Sequence, residues 1–195
     1  MKKMLLILAL SVFGFANAQK GTVLVGGNID YTTRTVETPT GKIKMNTFDF
    51  SPKVGYQFHD NWTAGAEFTI GSSKQDALMN EIKNNTYKVG AFVRYTMPLN
   101  ETFSVFADLG AGFQNLKGKV YDQGNLTSES KANGFYTDLT PALFINMKKG
   151  FGLNFSIGGL GYTSYSYDNV DIDEHSFYFN FGKTISVGIS KNFLF

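Results

Sequence analysis

The stretch ISVGISKNFLF, residues 185–195, decides how the rest of the chain is interpreted. One row of alternate residues is apolar and contains Ile185, Val187, Ile189, Phe193 and Phe195. The row between them is small and polar and contains Ser186, Gly188, Ser190 and Asn192. Successive side chains of a strand point to opposite faces, so this period of two predicts a strand with one apolar face. That face must cover either a protein core or lipid.

The N-terminus predicts a secretory signal peptide. Lys2 and Lys3 form a positive start, residues 4–15 are almost entirely apolar, and Ala-Asn-Ala at 16–18 is a cleavage site of small residues. The apolar run is shorter than the roughly 18 residues that a membrane-spanning helix needs. We therefore expect residues 1–18 to be removed and residues 19–195 to form one domain.

The composition narrows the class of protein. Without residues 1–18 the chain has 16 basic and 16 acidic residues, so no basic excess points to a nucleic-acid partner. The chain has no cysteine, 21 glycines, 19 phenylalanines and 10 tyrosines, but only 4 prolines. An exported chain that is rich in glycine and aromatic residues, without a long apolar run, is typical of an all-β protein.

The same alternation recurs along the whole chain. Eight alternating segments are found at residues 23–31, 47–58, 62–70, 87–97, 103–114, 136–147, 151–158 and 177–195. Short connections fall at 59–61, 98–101 and 148–150, and long polar ones at 32–46, 72–85, 115–134 and 163–175. Short and long connections alternate. This predicts an eight-stranded antiparallel up-and-down β-barrel, with three tight turns on one side and four long loops on the other.

The charged residues of the strands follow the polar row, which separates a membrane barrel from a soluble sandwich or lipocalin-like barrel. Eight of them share this row: Asp30, Asp49, Lys53, Glu67, Lys88, Arg94, Asp108 and Asp138. The rest of the row is mostly Gly, Ser, Thr and Asn, which suits the narrow inside of an eight-stranded barrel. We expect the eight charges to form a lumen network, which either neutralises buried charge or rearranges as a gate.

The apolar row carries its polar exceptions near the strand ends. Trp62 and Tyr95 lie beside predicted short turns, and Lys183 and Lys191 are spaced to flank a hydrocarbon layer. A tilted strand crosses that layer in about 9–11 residues. Aromatic rings and lysines are favoured at the two membrane interfaces, so we predict these four residues there.

The signal peptide, the eight alternating strands and the ending SKNFLF together resemble the small outer-membrane β-barrel superfamily, of the OmpA transmembrane-domain and OmpX kind. The resemblance covers the whole mature chain and rests on architecture and on the terminal pattern. It implies a bacterial outer-membrane location, contact with outer-membrane lipids and lipopolysaccharide, and insertion by the barrel-assembly machinery. In that family the last strand is the assembly signal, and Phe193 and Phe195 occupy the matching positions.

Three kinds of function follow from this interpretation. The first is structural and interactive: a monomer that supports membrane integrity and offers its long loops for adhesion or for an extracellular ligand. The second is a small porin for ions or solutes. The third is an enzyme that modifies lipid A or phospholipid through His175, beside Ser176 and Asp173. Neighbours on a strand point apart, so we expect no catalytic residues. We also expect neither a cofactor nor a specific metal site.

Overall fold

The computed structural model describes residues 21–39, 41–77, 80–148, 151–168 and 170–194. The predicted signal peptide and Phe195 lie outside the described residues, and so does the side chain of Lys183. Their predicted roles stay predictions.

Eight antiparallel strands form a closed barrel in which each strand pairs with the next and the last pairs with the first. The strands are β1 (Thr22–Thr38), β2 (Gly41–His59), β3 (Trp62–Ala77), β4 (Asn80–Pro98), β5 (Phe103–Asp122), β6 (Asn125–Lys148), β7 (Phe151–Tyr167) and β8 (Asp173–Leu194). This confirms the predicted all-β fold. No helix among the described residues is long and apolar enough to cross a bilayer.

The barrel is apolar outside and polar inside. On β4, Val89 is 57% exposed and Val93 39%, whereas Phe92 and Arg94 on the other face are 1% and 6% exposed. The same contrast holds on β5, where exposed Leu109 follows buried Asp108. An exposed apolar band on every strand is the pattern of a sheet that faces lipid.

The prediction of four long loops was wrong. The pairing of β1 with β2 continues to Thr38↔Gly41, that of β3 with β4 to Ala77↔Asn80, and that of β5 with β6 to Asp122↔Asn125. The pairing of β7 with β8 continues to Ser166↔Asp173. We call these extensions outer ribbons 1 to 4, at residues 33–46, 72–85, 115–133 and 163–175. Their composition is polar because both faces meet water, and the backbone ladder does not depend on apolar side chains.

The turns at the opposite end are short, as predicted. β2 ends at His59 and β3 begins at Trp62, and β4 ends at Pro98 before β5 begins at Phe103. In the second turn the side-chain oxygen of Asn100 accepts hydrogen bonds from the backbone N–H groups of Thr102 and Phe103, at 2.9 and 2.8 Å. A side chain that occupies backbone donors in this way stabilises a tight turn.

The pairing between β1 and β8 is much shorter than the others. Within the described residues it runs only from Thr22↔Leu194 to Asn28↔Gly188, although β1 continues to Thr38. The barrel is therefore closed near the short turns and open along this seam towards the outer ribbons.

Glycine allows β2 and β3 to approach closely at one point. A Cβ atom on Gly65 would lie 2.1 Å from the carbonyl oxygen of Val54 and 2.5 Å from the Cα of Gly55. We expect Gly65→Ala to lower the free energy of unfolding by about 1–3 kcal/mol, because a backbone cannot move aside as a side chain can. Urea unfolding in lipid vesicles measures this.

The matched control is Gly71→Ala, where the new Cβ would come too close only to the end of the Asp49 side chain, at 2.5 Å, and would make an ordinary contact with Thr86 at 3.4 Å. That carboxylate can rotate away, so the control should lose much less stability. Equal losses from both substitutions would contradict the close approach at Gly65.

Candidate functional site: lumen and outer ribbons

A cavity of about 370 Å³ lies inside the barrel. Its lining includes all eight charged residues of the polar row: Asp30, Asp49, Lys53, Glu67, Lys88, Arg94, Asp108 and Asp138. They come from β1 to β6, and the alternation of each strand turns them inward. The volume is within the range of small-molecule sites, so the lumen is the first candidate for a functional site.

The charges nearest the short turns form a tight network. The Nε and one terminal nitrogen of Arg94 donate to the two carboxylate oxygens of Asp108, at 2.6 and 2.8 Å. The Lys53 ammonium donates to the same carboxylate at 2.7 Å and lies 3.6 Å from Glu67. A two-point Arg–carboxylate pair fixes geometry as well as charge. Arg94, Asp108, Lys53 and Glu67 are called the lower network below.

Aromatic rings complete the lower network. The Tyr136 hydroxyl donates to Glu67 at 2.7 Å. The Arg94 guanidinium lies 3.7 Å from the centre of the Phe106 ring, and the Lys53 ammonium lies 4.8 Å from that of Phe92. Cation–ring contacts of this kind are stronger where water is excluded. The alternation placed these aromatic residues on the inward face, but it carried no signal that Tyr136 would bond to Glu67.

The lumen is filled between the lower network and the short turns. Leu24 and Phe106 are buried there, and the Thr22 hydroxyl donates to the Gln57 side chain at 2.9 Å. The pocket left among these side chains is about 40 Å³, against about 370 Å³ for the cavity above the lower network. Within the described part of the chain, the lower network and these side chains close the barrel on the short-turn side.

The charges nearer the outer ribbons are arranged differently. Asp30 and Asp49 are directly opposite each other on β1 and β2. The Lys88 ammonium lies 5.0 Å from the centre of the Tyr136 ring. Among the described residues, none of Asp30, Asp49, Lys88 and Asp138 has an ion-pair partner within 4 Å. We call these four the upper group. With all eight lumen charges ionised, five acids and three bases leave a charge of minus two.

Three of the four residues proposed for the membrane interface, Trp62, Tyr95 and Lys191, lie near the short turns. Trp62 and Tyr95 are opposite each other on β3 and β4, with ring centres 4.9 Å apart, and both are exposed. The Lys191 ammonium lies 4.9 Å from the centre of the Phe193 ring. Phe193 itself is only 5% exposed, although the alternation had placed it on the exposed row.

His175 and Asp173, which were considered for catalysis, have hydrogen-bond partners other than each other. The Tyr162 hydroxyl is 2.9 Å from Nδ1 of His175, and the two rings stack with centres 6.1 Å apart. The Ser166 hydroxyl donates to Asp173, and Tyr167 donates to Glu174 at 3.1 Å. No group of three or more His, Asp or Glu side chains among the described residues is placed to hold a metal ion. The contacts of His175 therefore indicate packing of outer ribbon 4.

The outer ribbons carry ion pairs within and between their strands. In ribbon 2 the Glu81 carboxylate lies 2.7 Å from Lys74 and 2.6 Å from Lys83, and Lys74 also lies 3.0 Å from Asp76. In ribbon 1, Lys42 lies 2.6 Å from Glu37. Each exposed pair contributes little to stability. Together they fix the relative positions of charged side chains on a paired backbone.

The model of the outer membrane protein beta-barrel domain matches residues 4–193. No curated protein matches the sequence significantly.

The chain is also similar to solved structures. The chain resembles the translocator domain of the autotransporter NalP from Neisseria meningitidis (16% identity, TM-score 0.46) and covers 64% of that domain with 90% of its own length. It resembles Ail of Yersinia pestis at 17% identity and TM-score 0.47, covering 90% of this chain and 100% of that one. It resembles OprG of Pseudomonas aeruginosa at 13% identity and TM-score 0.50, and the match covers 91% of this chain and 98% of that one.

The contacts of the lower network predict how much stability is lost when Arg94 is replaced. Arg94→Met leaves the Asp108 carboxylate, which is 4% exposed, without its principal partner. We expect a loss of about 3 kcal/mol in the free energy of unfolding, because the Lys53 ammonium alone then compensates the buried carboxylate. The double variant Arg94→Met/Asp108→Leu should recover much of this loss. Urea unfolding in vesicles measures both.

The control is Lys42→Met, which breaks an exposed ion pair in outer ribbon 1 and should change the unfolding midpoint very little. If the double variant lost as much free energy of unfolding as the Arg94→Met and Asp108→Leu single variants added together, the two residues would not be a coupled buried pair.

The ion pairs of outer ribbon 2 predict a lowered pKa for the Glu81 carboxyl group. Hydrogen bonds from Lys74 and then Lys83 lower the pKa of Glu81 from 4.5 to about 2. Since the folded pKa is the lower one, the stabilisation is complete above pH 4.5 and is lost as the pH falls through about 2. NMR titration of the Glu81 carboxyl carbon checks this, with Lys74→Met/Lys83→Met expected to return the midpoint towards 4.5. A midpoint near 4.5 in the unaltered protein would show that the pairs do not form.

Proposed function

Because this chain belongs to the outer membrane protein β-barrel domain family and lies in the bacterial outer membrane, we propose that it acts as a closed barrel at the cell surface. Its role is to support membrane integrity and to present the four outer ribbons for recognition or adhesion. We further propose that it works as a monomer in contact with outer-membrane lipids and lipopolysaccharide. Insertion by the barrel-assembly machinery, through Phe193 and Phe195, belongs to the same proposal.

One observation carries the proposal: the lower network blocks the lumen. Lys53 of β2 donates to Asp108 of β5, and Tyr136 of β6 donates to Glu67 of β3, so two hydrogen bonds cross the interior. The pocket below them is only about 40 Å³. Eight-stranded barrels have an interior just wide enough for side chains, whereas open channels have 16 to 18 strands. A blocked lumen leaves the outer surface as the part of the molecule that meets other molecules.

The outer ribbons supply that surface. Ribbon 1 carries three basic residues and one acid, whereas ribbon 4 carries Asp168, Asp171, Asp173 and Glu174. These two ribbons extend from β1 and β8, the strands on either side of the seam. The net positive charge of ribbon 1 and the net negative charge of ribbon 4 support selective contact with charged partners.

A small porin is the second candidate, and the cavity of about 370 Å³ above the lower network is the observation that favours it. A third candidate, an enzyme acting on lipid, would use His175. The hydrogen-bond distance between Tyr162 and His175 favours packing over catalysis at that residue.

Recordings in planar bilayers separate the first two candidates. We expect no steady conductance steps from the purified protein, because the lower network leaves no continuous water path. Arg94→Ala/Asp108→Ala should produce conducting events, and the ribbon variant Lys42→Ala, which leaves the lumen unchanged, should not. Regular conductance steps from the unaltered protein would establish the porin instead.

A binding experiment tests the surface role. With the protein in zwitterionic nanodiscs, we expect immobilised heparin to be bound through ribbon 1 and immobilised polylysine through ribbon 4. Replacing residues 34–45 with an Asn-Gly turn, which joins the register partners Thr33 and Asn46, should reduce only the first. Neutralising Asp168, Asp171, Asp173 and Glu174 should reduce only the second. Binding that neither change alters would argue against recognition by the ribbons.

A further inference from the structure

The seam between β1 and β8 stops inside the apolar band. Beyond the last pair, Asn28↔Gly188, the outward side chains of Ile29, Tyr31, Ile185 and Val187 are still apolar and between 48% and 69% exposed. Backbone groups at an open sheet edge are tolerated at membrane depth only where they line a cavity or meet a polar partner. The unpaired edges of the two strands must therefore face the lumen cavity, whose lining includes Asn28 and Asp30.

The shape of β8 explains why the pairing stops. Between Ser156↔Ser186 and Gly158↔Phe181, β7 advances by two residues while β8 advances by five. Gly158 and Gly182 have φ angles of +97° and +72°, a conformation that glycine adopts without strain. Such a bulge bends its strand and interrupts the ladder. The outer half of β8 stays paired with β7 and leaves β1.

The lumen cavity extends to this opening. Its lining includes Gly26, Gly27, Asn28 and Asp30 of β1 and Ser190 of β8. Outside the barrel an apolar groove of about 520 Å³ runs along the same strands. Gly26, Gly27 and Ser190 line both spaces, so only a thin wall separates them. Val25, Ile29, Phe50 and Phe151 give the groove its apolar character.

The charge beside the opening favours one sign of ligand. Asp30 and Asp49 are directly opposite each other on β1 and β2, next to the end of the seam, and both line the cavity. Like charges opposite each other on a sheet are destabilising. Among the described residues neither has an ion-pair partner within 4 Å, and the lumen as a whole has two more acids than bases. A cation at this position relieves the repulsion.

We propose that the opening between β1 and β8 is a lateral binding site for single-chain amphiphiles with a cationic head. The alkyl chain lies in the outer groove beside Gly27 and Ile29, and the head enters the lumen just beyond the Asn28↔Gly188 pair to reach Asp30 and Asp49. The apolar groove alone would accept any alkyl chain, and the paired carboxylates select the cationic head. The site is independent of the surface role of the outer ribbons.

Two probes with the same tail test the choice of head. In phosphatidylcholine nanodiscs, after subtraction of partitioning into protein-free discs, dodecyltrimethylammonium should bind at least tenfold more tightly than dodecyl sulfate. On adding dodecyltrimethylammonium, the NMR chemical shifts of the backbone amides of residues 26–30 and 185–188 should change. Asp30→Asn/Asp49→Asn should weaken the binding of this probe about tenfold. The control Glu37→Gln/Asp76→Asn removes two carboxylates from the outer ribbons and should bind normally. Equal binding of the two probes, or normal binding by Asp30→Asn/Asp49→Asn, overturns the proposal.

A cysteine pair tests the opening without a ligand. In an open seam, Ile29→Cys/Val187→Cys should give far less disulfide on mild oxidation than Val25→Cys/Val54→Cys, whose positions are opposite each other on β1 and β2. Disulfides need Cα atoms within about 7 Å. Equal yields from the two pairs would mean that the seam is closed, and the proposal would then be wrong.

Discussion

The structure depends on one constraint: hydrocarbon offers no hydrogen bonds to a backbone. A sheet that crosses it must close, and closure here joins β1 to β8 over Thr22 to Asn28. Once the sheet is closed, strand alternation assigns every side chain to lipid or to lumen. The apolar row of each strand is thereby exposed, as at Val89 and Leu109, and the charged row is brought together inside. Closure is incomplete along the seam above Asn28, and the opposed carboxylates of Asp30 and Asp49 lie beside it.

A second constraint follows from the first, because charges confined in a narrow lumen must be compensated. In the lower half they are: Arg94 and Lys53 surround Asp108, and Tyr136 bonds to Glu67. Buried pairs of this kind contribute little net stability but are costly to break. In the upper half Asp30 and Asp49 are opposed without an ion pair among the described residues. The lumen thus combines a rigid closure on one side with an acidic, less constrained chamber on the other.

The sequence was sufficient for the strands, the short turns and the row that carries the lumen charges, because a period of two is a local property of each segment. It was insufficient for the outer ribbons. Residues such as Lys74 and Glu81 were assigned to loops on their polarity, but a backbone ladder depends on the partner strand and not on side-chain hydropathy. The early end of the seam depends on the bulge near Gly182, and the Tyr136–Glu67 bond depends on barrel curvature. Neither has a signature in one segment of sequence.

The central claim is that the apolar row faces lipid and the polar row faces the lumen, and collision measurements on β3 test it most directly. The chain has no cysteine, so single nitroxide labels can be placed at Thr63, Ala64, Ala66, Glu67, Phe68, Thr69 and Ile70 in lipid vesicles. We expect frequent collisions with oxygen at Ala64, Ala66, Phe68 and Ile70, and few at Thr63, Glu67 and Thr69. Equal collision rates in both rows, or an apolar row shielded from oxygen, would contradict the lipid-facing barrel.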